Sequence, residues 1–327
     1  MKNLIEKFPA QLREAVAIGE KFKFSGHSKP IRNILISGLG GSGIGGTIIS
    51  EVVADECPLP ITINKDYFLP KFVNEETLVI ISSYSGNTEE TLMAMESALK
   101  LGSKIVCITS GGKVAEIAKA NNLDHILIPG GMPPRSCLGY SLTQLFYILI
   151  SAGYIGEHFK KELQNSIELI EKEKAPIVKE AEDLAKFFVN KLPVIYAVDG
   201  YNGVATRFRQ QINENAKMLC WHHILPEMNH NELVGWTEKH DEVAILILRS
   251  TTDYERTQTR IEISKGVFSK FTPHLRELWS KGNTRLERSI YFIHLTDWVS
   301  VLIAEMKKID ATEVNIINHL KGELAKL

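Results

Sequence analysis

Residues 37–46 read SGLGGSGIGG, and six of these ten residues are glycine. The stretch follows an apolar run, NILI (33–36), and precedes TIISEVV (47–53). This order is typical of a β-strand, a glycine-rich turn and a helix, and the backbone N–H groups and helix dipole at such a turn bind anions. The stretch therefore predicts an α/β fold with an anion site. It leaves open whether the anion belongs to a dinucleotide or to a sugar phosphate.

The dinucleotide alternative has its own support in the same stretch. Gly38, Gly40 and Gly43 fit the G-x-G-x-x-G pattern of dinucleotide-binding folds. Asp66 lies near the end of the next predicted strand, where such folds place the acid that binds a ribose. A lone glycine pattern is weak evidence, so the rest of the chain has to decide.

The composition argues against nucleic-acid and membrane partners. Of the 327 residues, 44% are hydrophobic and 24% are charged, as in ordinary globular proteins. The 38 basic and 39 acidic residues leave a net charge of −1, which gives no electrostatic attraction to nucleic acid or to an anionic membrane. The longest apolar stretch, residues 145–155, is too short to cross a bilayer.

The cysteines indicate the compartment. The chain has four of them, without a C-x-x-C pair: Cys57, Cys107, Cys137 and Cys220. Scattered cysteines in a chain of this length are typical of reduced thiols. The first 16 residues read as a charged amphipathic helix rather than as a signal peptide. We therefore expect a cytoplasmic protein.

Strand and helix patterns alternate along the first half of the chain. Short apolar runs predict strands at 33–38, 61–66, 77–83, 104–110 and 125–130, with helical patterns between them. Near-continuous apolar strands that alternate with helices predict a parallel sheet covered on both faces. The loops that follow the strands then lie at the carboxyl edge of the sheet, where ligands bind in such folds.

The same pattern restarts after residue 192. The stretch 192–217 repeats the strand, turn and helix of 33–53, and 241–268 repeats the unit that begins at 77. Between the two halves lies a charged segment in which Pro176 divides two predicted helices. We predict an α/β fold of two doubly wound domains, each a parallel sheet flanked by helices. The predicted units are an N-terminal domain with the phosphate loops (1–157), a helical connector (158–191), and a C-terminal domain that includes C-terminal helices (192–327).

A second loop favours a compact phosphate over a dinucleotide. The stretch SSYSGNTEET (82–91) places Ser83, Ser85 and Thr88 in one turn after a predicted strand. Hydroxyl and N–H groups at a helix start can hold one phosphate, and Ser42 can join them from the neighbouring strand. The alternative is that these hydroxyls only cap the following helix.

At this point the chain resembles a known family. GGSG (40–43) followed by SYSGNTEET (83–91) is similar to the sugar isomerase (SIS) domain. The whole chain resembles the archaeal-type bifunctional phosphoglucose/phosphomannose isomerases of the phosphoglucose isomerase superfamily. The resemblance includes PPRSCLGYS (133–141), NENAK (213–217) and MNHNELVGW (228–236). It implies that the two loops bind a sugar 6-phosphate through Gly41, Ser42, Ser83, Ser85 and Thr88.

The resemblance also implies an acid–base group and a positive group. Glu214, in NENAK, corresponds to the base that moves a proton between C1 and C2 of the sugar. Arg135 corresponds to the positive group beside the enediolate. The helical pattern alone would place Glu214 on a solvated face with Arg207 and Gln211.

The remaining implied groups open the sugar ring. His230 corresponds to a histidine that enters from the neighbouring subunit, which implies a homodimer, and Glu232 is a candidate to orient it. Lys321 corresponds to a lysine near the ring, although Lys326 is an alternative. Thr312 is a weaker candidate near C2.

The segment WHHILPEMNHNE (221–232) has a rival interpretation as a zinc site. Its candidate ligands are His222, His223, Glu227, His230 and Glu232. Zinc binds such residues, but adjacent histidines point apart in regular structure and no H-E-x-x-H spacing occurs. We expect no metal ion and no cofactor.

These observations predict an aldose–ketose isomerase that interconverts glucose 6-phosphate and mannose 6-phosphate with fructose 6-phosphate through a cis-enediolate. A role in glycolysis and gluconeogenesis would follow. One alternative is an isomerase of another sugar phosphate. Another is a non-catalytic regulator that binds a sugar phosphate, although the sequence shows no helix-turn-helix extension and no basic patch.

Overall fold

The computed structural model describes residues 1–324 and 326. Its strands are β1 (Asn33–Ser37), β2 (Ile61–Asn64), β3 (Thr77–Ser82), β4 (Lys104–Thr109), β5 (Asp124–Leu127), β6 (Leu192–Val198), β7 (Trp221–Leu225), β8 (Val243–Arg249) and β9 (Leu275–Trp279). Its α-helices are α1 (Lys2–Glu6), α2 (Phe8–Gly19), α3 (Gly40–Val52), α4 (Glu89–Lys100), α5 (Gly112–Ala120), α6 (Leu138–Ser151), α7 (His158–Lys172), α8 (Lys174–Phe188), α9 (Asn202–Ala216), α10 (Glu255–Phe268), α11 (Arg285–Met306) and α12 (Asn315–Leu324).

The first half of the chain forms a five-stranded parallel sheet. Its strand order is β2-β1-β3-β4-β5, and every pairing is parallel. The central strand β3 (TLVIIS) is buried along its whole length because helices cover both faces of the sheet. The carboxyl ends of β1 and β3 are neighbours, so the loops that follow them lie side by side, as predicted.

The second half repeats this arrangement with four strands. Its order is β7-β6-β8-β9, again parallel throughout. The strands β6, β7, β8 and β9 correspond in order and position to β1, β2, β3 and β4 of the first sheet. The internal duplication extends to the helices, because α9 follows β6 as α3 follows β1. The predicted fold of two parallel sheets flanked by helices is confirmed.

Two helix boundaries differ from the sequence prediction. The charged segment between the sheets forms α7 and α8, but the break falls at Glu173, and Pro176 lies in the first turn of α8, where a missing N–H does no harm. The helix after β1 begins at Gly40 rather than at Ile44. This helix contains glycine because it packs closely on the sheet. A β-carbon at Gly46 would lie 3.0 Å from the Ile36 side chain.

The longest helix, α11, lies at the centre of the molecule. It is buried along nearly its whole length and packs on α7, α8 and α9. A loop at 307–314 then leads to α12, none of whose residues is buried. In the part of the chain that the structure describes, no helix is both long enough and apolar enough to span a membrane.

Candidate active site

The glycine-rich stretch places unpaired N–H groups at the start of α3. Leu39 occupies the N-cap position without a side-chain hydrogen bond, and its carbonyl accepts from Ser42 and Gly43. The N–H groups of Gly40 and Gly41 donate to no other described residue. Orphan donors at the positive end of a helix are suited to an anion.

The second loop presents hydroxyl groups beside these donors. Thr88 is the N-cap residue of α4, yet its side chain does not cap the helix. Instead, Thr88 Oγ1 accepts a hydrogen bond from Ser83 Oγ at 3.2 Å, which leaves the Thr88 hydroxyl proton available to a ligand. The interpretation that Thr88 acts only as a cap is therefore wrong. Ser85 is exposed, and its hydroxyl accepts from the Asn87 N–H at 3.2 Å.

Two hydrogen bonds join the loops into one unit. Ser42 Oγ accepts from the Tyr84 N–H at 3.0 Å, and Ser82 Oγ donates to the Ser42 carbonyl at 3.0 Å. The Ser42 hydroxyl proton remains free to donate. Gly86 has φ +69°, and a β-carbon there would lie 1.8 Å from the Gly111 carbonyl oxygen, so only glycine allows this loop to close.

Arg135 lies next to this unit and is held by the second half of the chain. A β-carbon on Gly41 would lie 3.0 Å from the Arg135 backbone nitrogen. Arg135 is only 4% exposed, and its Nε donates to Asn215 Oδ1 at 2.8 Å. Nη2 donates to the carbonyls of Ala311 and Thr312 at 2.6 and 3.0 Å. Burial lowers the pKa of Arg135, and the nearby carboxylate of Glu214 opposes that shift.

Glu214 lies on the open side of Arg135. Its Oε2 is 3.5 Å from Arg135 Nη1, longer than a charge-assisted hydrogen bond, and its side chain is 26% exposed. Glu214 is in the last turn of α9, and Lys217, the residue that follows this helix, has the left-handed conformation. The Lys217 ammonium donates to the carbonyls of Glu214, Asp310 and Glu313, which joins this turn to the segment after α11.

The polar face of α9 is buried, contrary to the pattern-based prediction of a solvated face. Arg207 and Gln211 are each only 2% exposed, because both donate to the Asp297 carboxylate on α11, at 2.6 and 2.9 Å. Arg207 also donates to the Arg135 carbonyl at 3.0 Å. Asn215 of α9 donates to Ser300 Oγ, which is on α11, at 2.9 Å. These contacts fix α9 and Arg135 relative to α11, and sequence analysis missed Asn215, Asp297 and Ser300.

The structure does not bring every predicted residue to this site. His230 is exposed at the end of a 3₁₀ turn, Glu227–His230, and Lys321 is exposed on α12. Glu232 contacts His223, at 3.0 Å, and the Tyr196 hydroxyl, so the interpretation that it orients His230 is wrong within one chain. Thr312 contributes its backbone carbonyl to Arg135, not its side chain.

The alternative ligands considered from the sequence are a dinucleotide, with Asp66 at its ribose, and a zinc ion. Asp66 is exposed, and its carboxylate accepts from the next N–H, that of Tyr67, in a local turn. Within residues 1–324 and 326, no three His, Cys, Asp or Glu side chains form a group that could hold a metal ion. Thr206 instead hydrogen-bonds His222 at 2.9 Å, and burial lowers the pKa of His222 to about 4.

The arrangement combines a cradle of N–H and hydroxyl donors, which suits a phosphate, with a guanidinium and a carboxylate. The cradle is made from α3, the loop after β3 and their hydroxyls, and Arg135 adjoins it at Gly41. A fixed guanidinium can stabilise a developing oxyanion, and a partly exposed carboxylate can accept a proton from carbon. The site can therefore hold a phosphorylated substrate while a proton is removed beside a carbonyl group.

Comparisons with known proteins agree with this chemistry. The model of the bacterial phospho-glucose isomerase C-terminal SIS domain matches residues 177–324. A bifunctional phosphoglucose/phosphomannose isomerase from Caldicellulosiruptor bescii is 37% identical over 99% of this chain and 98% of the relative. One of the same description from Aquifex aeolicus is 36% identical over 91% and 92% of the two chains.

The fold is shared more widely. The C-terminal domain of glucosamine-fructose-6-phosphate aminotransferase from Francisella tularensis superposes with a TM-score of 0.76 at 13% identity, over 95% of this chain and 97% of that one. At this identity the likeness concerns the fold alone. The near-complete match to the curated relatives is more specific, and it confirms the resemblance inferred from the loop and site motifs. This chain is a member of the bifunctional phosphoglucose/phosphomannose isomerase family.

Proposed function

We propose that this protein interconverts glucose 6-phosphate and mannose 6-phosphate with fructose 6-phosphate. The observation that carries the proposal is the Arg135–Glu214 pair, which adjoins a hydroxyl-lined phosphate cradle at Gly41. In this proposal the 6-phosphate binds to the free N–H groups at the start of α3, which include that of Gly41, and to the hydroxyl groups of the two loops: Ser42, Ser83, Ser85 and Thr88.

Proton transfer is assigned to Glu214. Its carboxylate takes the C2 proton of the open-chain aldose, and the electrons of that C–H bond form the C1–C2 double bond of the enediolate. The C1 oxygen gains a proton, the C2 hydroxyl loses one, and Glu214 returns its proton to C1 to give the ketose. Arg135 stabilises the negative charge on the enediolate oxygens, because its guanidinium is already fixed by Asn215 and two carbonyls.

One intermediate accounts for two substrates. Glucose 6-phosphate and mannose 6-phosphate differ only in configuration at C2, and loss of the C2 proton makes that carbon planar. The epimer that forms in the reverse direction depends on which face of C2 Glu214 can reach. The oxidation at C2 balances the reduction at C1 within one molecule, so the proposed step needs no external oxidant.

Ring opening is assigned to groups that this chain alone does not bring to the site. We infer that His230 enters from a partner subunit of a homodimer and that Lys321 approaches the ring, with Lys326 as its alternative. The exposure of His230 and Lys321 supports this inference, since both side chains are free to meet a partner. The four free cysteines fit a reducing compartment, and we place the enzyme in the cytoplasm.

The decisive experiment is a coupled isomerase assay on purified, EDTA-treated protein. Glucose 6-phosphate and mannose 6-phosphate are offered separately, and fructose 6-phosphate formation is followed. We expect turnover of both. Turnover of glucose 6-phosphate alone would narrow the function to one isomerase. Turnover of neither, with ligand binding retained, would contradict the proposal and favour another sugar phosphate or a binding protein. Activity that depends on added metal would contradict the assignment of the chemistry to side chains alone.

A further inference from the structure

Glu51 joins the two halves of the molecule at a position that the proposed chemistry does not use. It lies in the last turn of α3, and its two carboxylate oxygens accept from the Gly203 N–H at 3.1 and 3.0 Å. Gly203 is in the first turn of α9, whose N-cap residue, Tyr201, makes no side-chain cap. The cap of α9 is therefore supplied by a residue 152 positions away in the chain.

The internal duplication allows the start of α9, where this contact lies, to be compared with the start of α3. α9 follows β6 as α3 follows β1, so the start of α9 corresponds to the start of α3, where the phosphate cradle lies. In the first half the helix start is left free for a ligand. In the second half the equivalent position is filled by the chain's own carboxylate. Glu51 thus stands where an anion would bind if the second sheet had kept a phosphate site.

The packing around Glu51 brings the end of α3 into direct contact with α9 and α11. A β-carbon on Gly203 would lie 2.8 Å from the Ile48 side chain, so α3 and α9 touch at that point. The Glu51 carbonyl accepts from Arg285 Nη1 at 2.7 Å, and Arg285 is the first residue of α11. The end of α3 is thereby connected to both helices that carry the Arg207–Asp297 network.

The two helices connect Glu51 to both parts of the proposed site. Gly41 and Glu51 lie at opposite ends of α3, about 15 Å apart at 1.5 Å per residue. Gly203 and Glu214 lie about 17 Å apart along α9 by the same measure. A carboxylate that fixes the start of α9 on the end of α3 therefore sets where Glu214 lies relative to the cradle.

We propose that Glu51 is a positioning residue for the isomerase reaction: its ionised carboxylate holds α9 against α3 and so places Glu214 at the correct distance from the bound phosphate. This inference rests on the proposed function. It predicts an effect on turnover rather than on phosphate affinity, since the cradle itself is made by the opposite end of α3.

The charge state of Glu51 provides a readout that a merely structural contact would lack. Burial raises its pKa to about 7, with Asp199 adding to the increase and with the Gly203 N–H and Arg285 opposing it. Lys65, beyond the end of β2, also faces it. Protonation removes the negative charge that faces the start of α9 and leaves one carbonyl oxygen to accept from Gly203, so this contribution to turnover weakens as the pH falls through about 7.

The test compares Glu51→Gln, Glu51→Ala and the control Asp55→Asn in the full-length protein. Asp55 is an exposed acid just past α3 that pairs with Arg285, at 3.2 Å, on α11. We expect Glu51→Gln to lower kcat about tenfold and to change KM for fructose 6-phosphate and the inhibition constant of inorganic phosphate by less than about twofold. The rise of kcat between pH 6 and pH 8 should weaken in this variant, and Asp55→Asn should behave like the wild type.

Amide hydrogen exchange along residues 203–216 separates this inference from the proposed function. If the wild type turns over neither sugar phosphate, the proposed function fails, and faster exchange along α9 in Glu51→Gln would still support the positioning role. Unchanged kcat and exchange in Glu51→Gln would overturn it. The inference would also be overturned if KM and the inhibition constant of phosphate rose as much as kcat fell. An equal fall of kcat in Asp55→Asn would overturn it as well. If Glu51→Ala does not fold, Glu51→Gln decides alone.

Discussion

Arg135 Nη1 lies 3.5 Å from Glu214 Oε2, and among the described residues only the arginine of this pair makes further side-chain hydrogen bonds. Its remaining nitrogens donate to Asn215, Ala311 and Thr312, whereas the Glu214 side chain is partly exposed. A fixed cation beside an unlocked carboxylate suits a reaction in which the carboxylate must accept and return a proton while the cation stays in place.

Replacing Glu214 by Gln should abolish isomerisation and leave binding intact. The amide keeps the size of the side chain but cannot accept a proton from carbon, so we expect kcat to fall by at least about 10³-fold. Inorganic phosphate and fructose 6-phosphate should still bind, as measured by calorimetry. Glu182→Gln, an exposed change on α8, serves as the control. Comparable activity in Glu214→Gln would remove Glu214 from its assigned role.

Replacing Arg135 by Lys should damage turnover more than folding. Lysine keeps the charge but cannot reproduce the planar fork that reaches Asn215 and the two carbonyls at once. We expect kcat to fall by about 10²–10³-fold, with a smaller change in KM. In the double variant with Glu214→Gln the losses should not multiply, because the two side chains act on one step. Fully multiplicative losses would argue that they act independently.

Gly41 and Gly45 offer a matched pair on the same helix. A β-carbon at Gly41 would lie 2.9 Å from the Pro134 carbonyl and 3.0 Å from Arg135, both backbone contacts that cannot give way easily. At Gly45 it would lie 3.4 Å from the Leu145 side chain, an ordinary contact. We expect Gly41→Ala to raise KM and lower kcat together, and Gly45→Ala to retain nearly full activity in the same assay. Equal behaviour of the two variants would contradict the close approach of the cradle to Arg135.

The intersubunit role proposed for His230 can be tested by mixing two inactive variants. In a homodimer that exchanges His230, a dimer of Glu214→Gln with His230→Ala contains one site with both groups intact. Random re-association of equal amounts should restore about one quarter of wild-type activity. Each variant alone, unfolded and refolded in the same way, is the control. Activity that stays at the level of the separate variants would mean that His230 acts within its own chain or not at all.

The raised pKa of Glu51 should appear in stability as well as in turnover. Between its ordinary value of 4.5 and about 7, the folded protein keeps a proton that the unfolded chain releases, so stability falls as the pH rises through this window. A pKa raised from 4.5 to about 7 corresponds to roughly 3 kcal/mol. We expect Glu51→Gln to gain stability over the wild type as the pH increases from 5 to 8, measured by urea unfolding. A difference that is constant across this range would contradict the shift.

Much of the fold could be predicted because short-range sequence patterns determine most of its strands and helices. The five strands of the first half are predicted within a few residues, since apolar runs bounded by glycine and polar turns are short-range signals. In the second half the sequence analysis predicts β6 and β8 but not β7 or β9. The sequence analysis misses the start of α3 at Gly40 because glycine is a poor helix former. The contacts that favour glycine in this helix, at Gly41 beside Arg135 and at Gly46 beside Ile36, come from packing that the local sequence does not reveal.

The site was only partly predictable for a related reason. The hydroxyls of the two loops follow strands that pair in the sheet, so sequence order alone brings them together. The burial of Arg207 and Gln211 depends on Asp297, about 90 residues later in the chain, and helical periodicity carries no information on such a partner. An unusual density of polar residues on α9 was the available signal, and it fits a solvated face equally well.

Arg135 follows the first sheet and Glu214 belongs to the second unit, so the proposed site needs both units. A gene that encoded only the first unit could supply a phosphate cradle and a guanidinium, but no carboxylate to move the proton. A gene that encoded only the second would have the carboxylate and a capped helix where the cradle should be. In the proposed reaction neither unit is sufficient alone, because the N–H groups beside Arg135 belong to the first unit and the carboxylate of Glu214 belongs to the second.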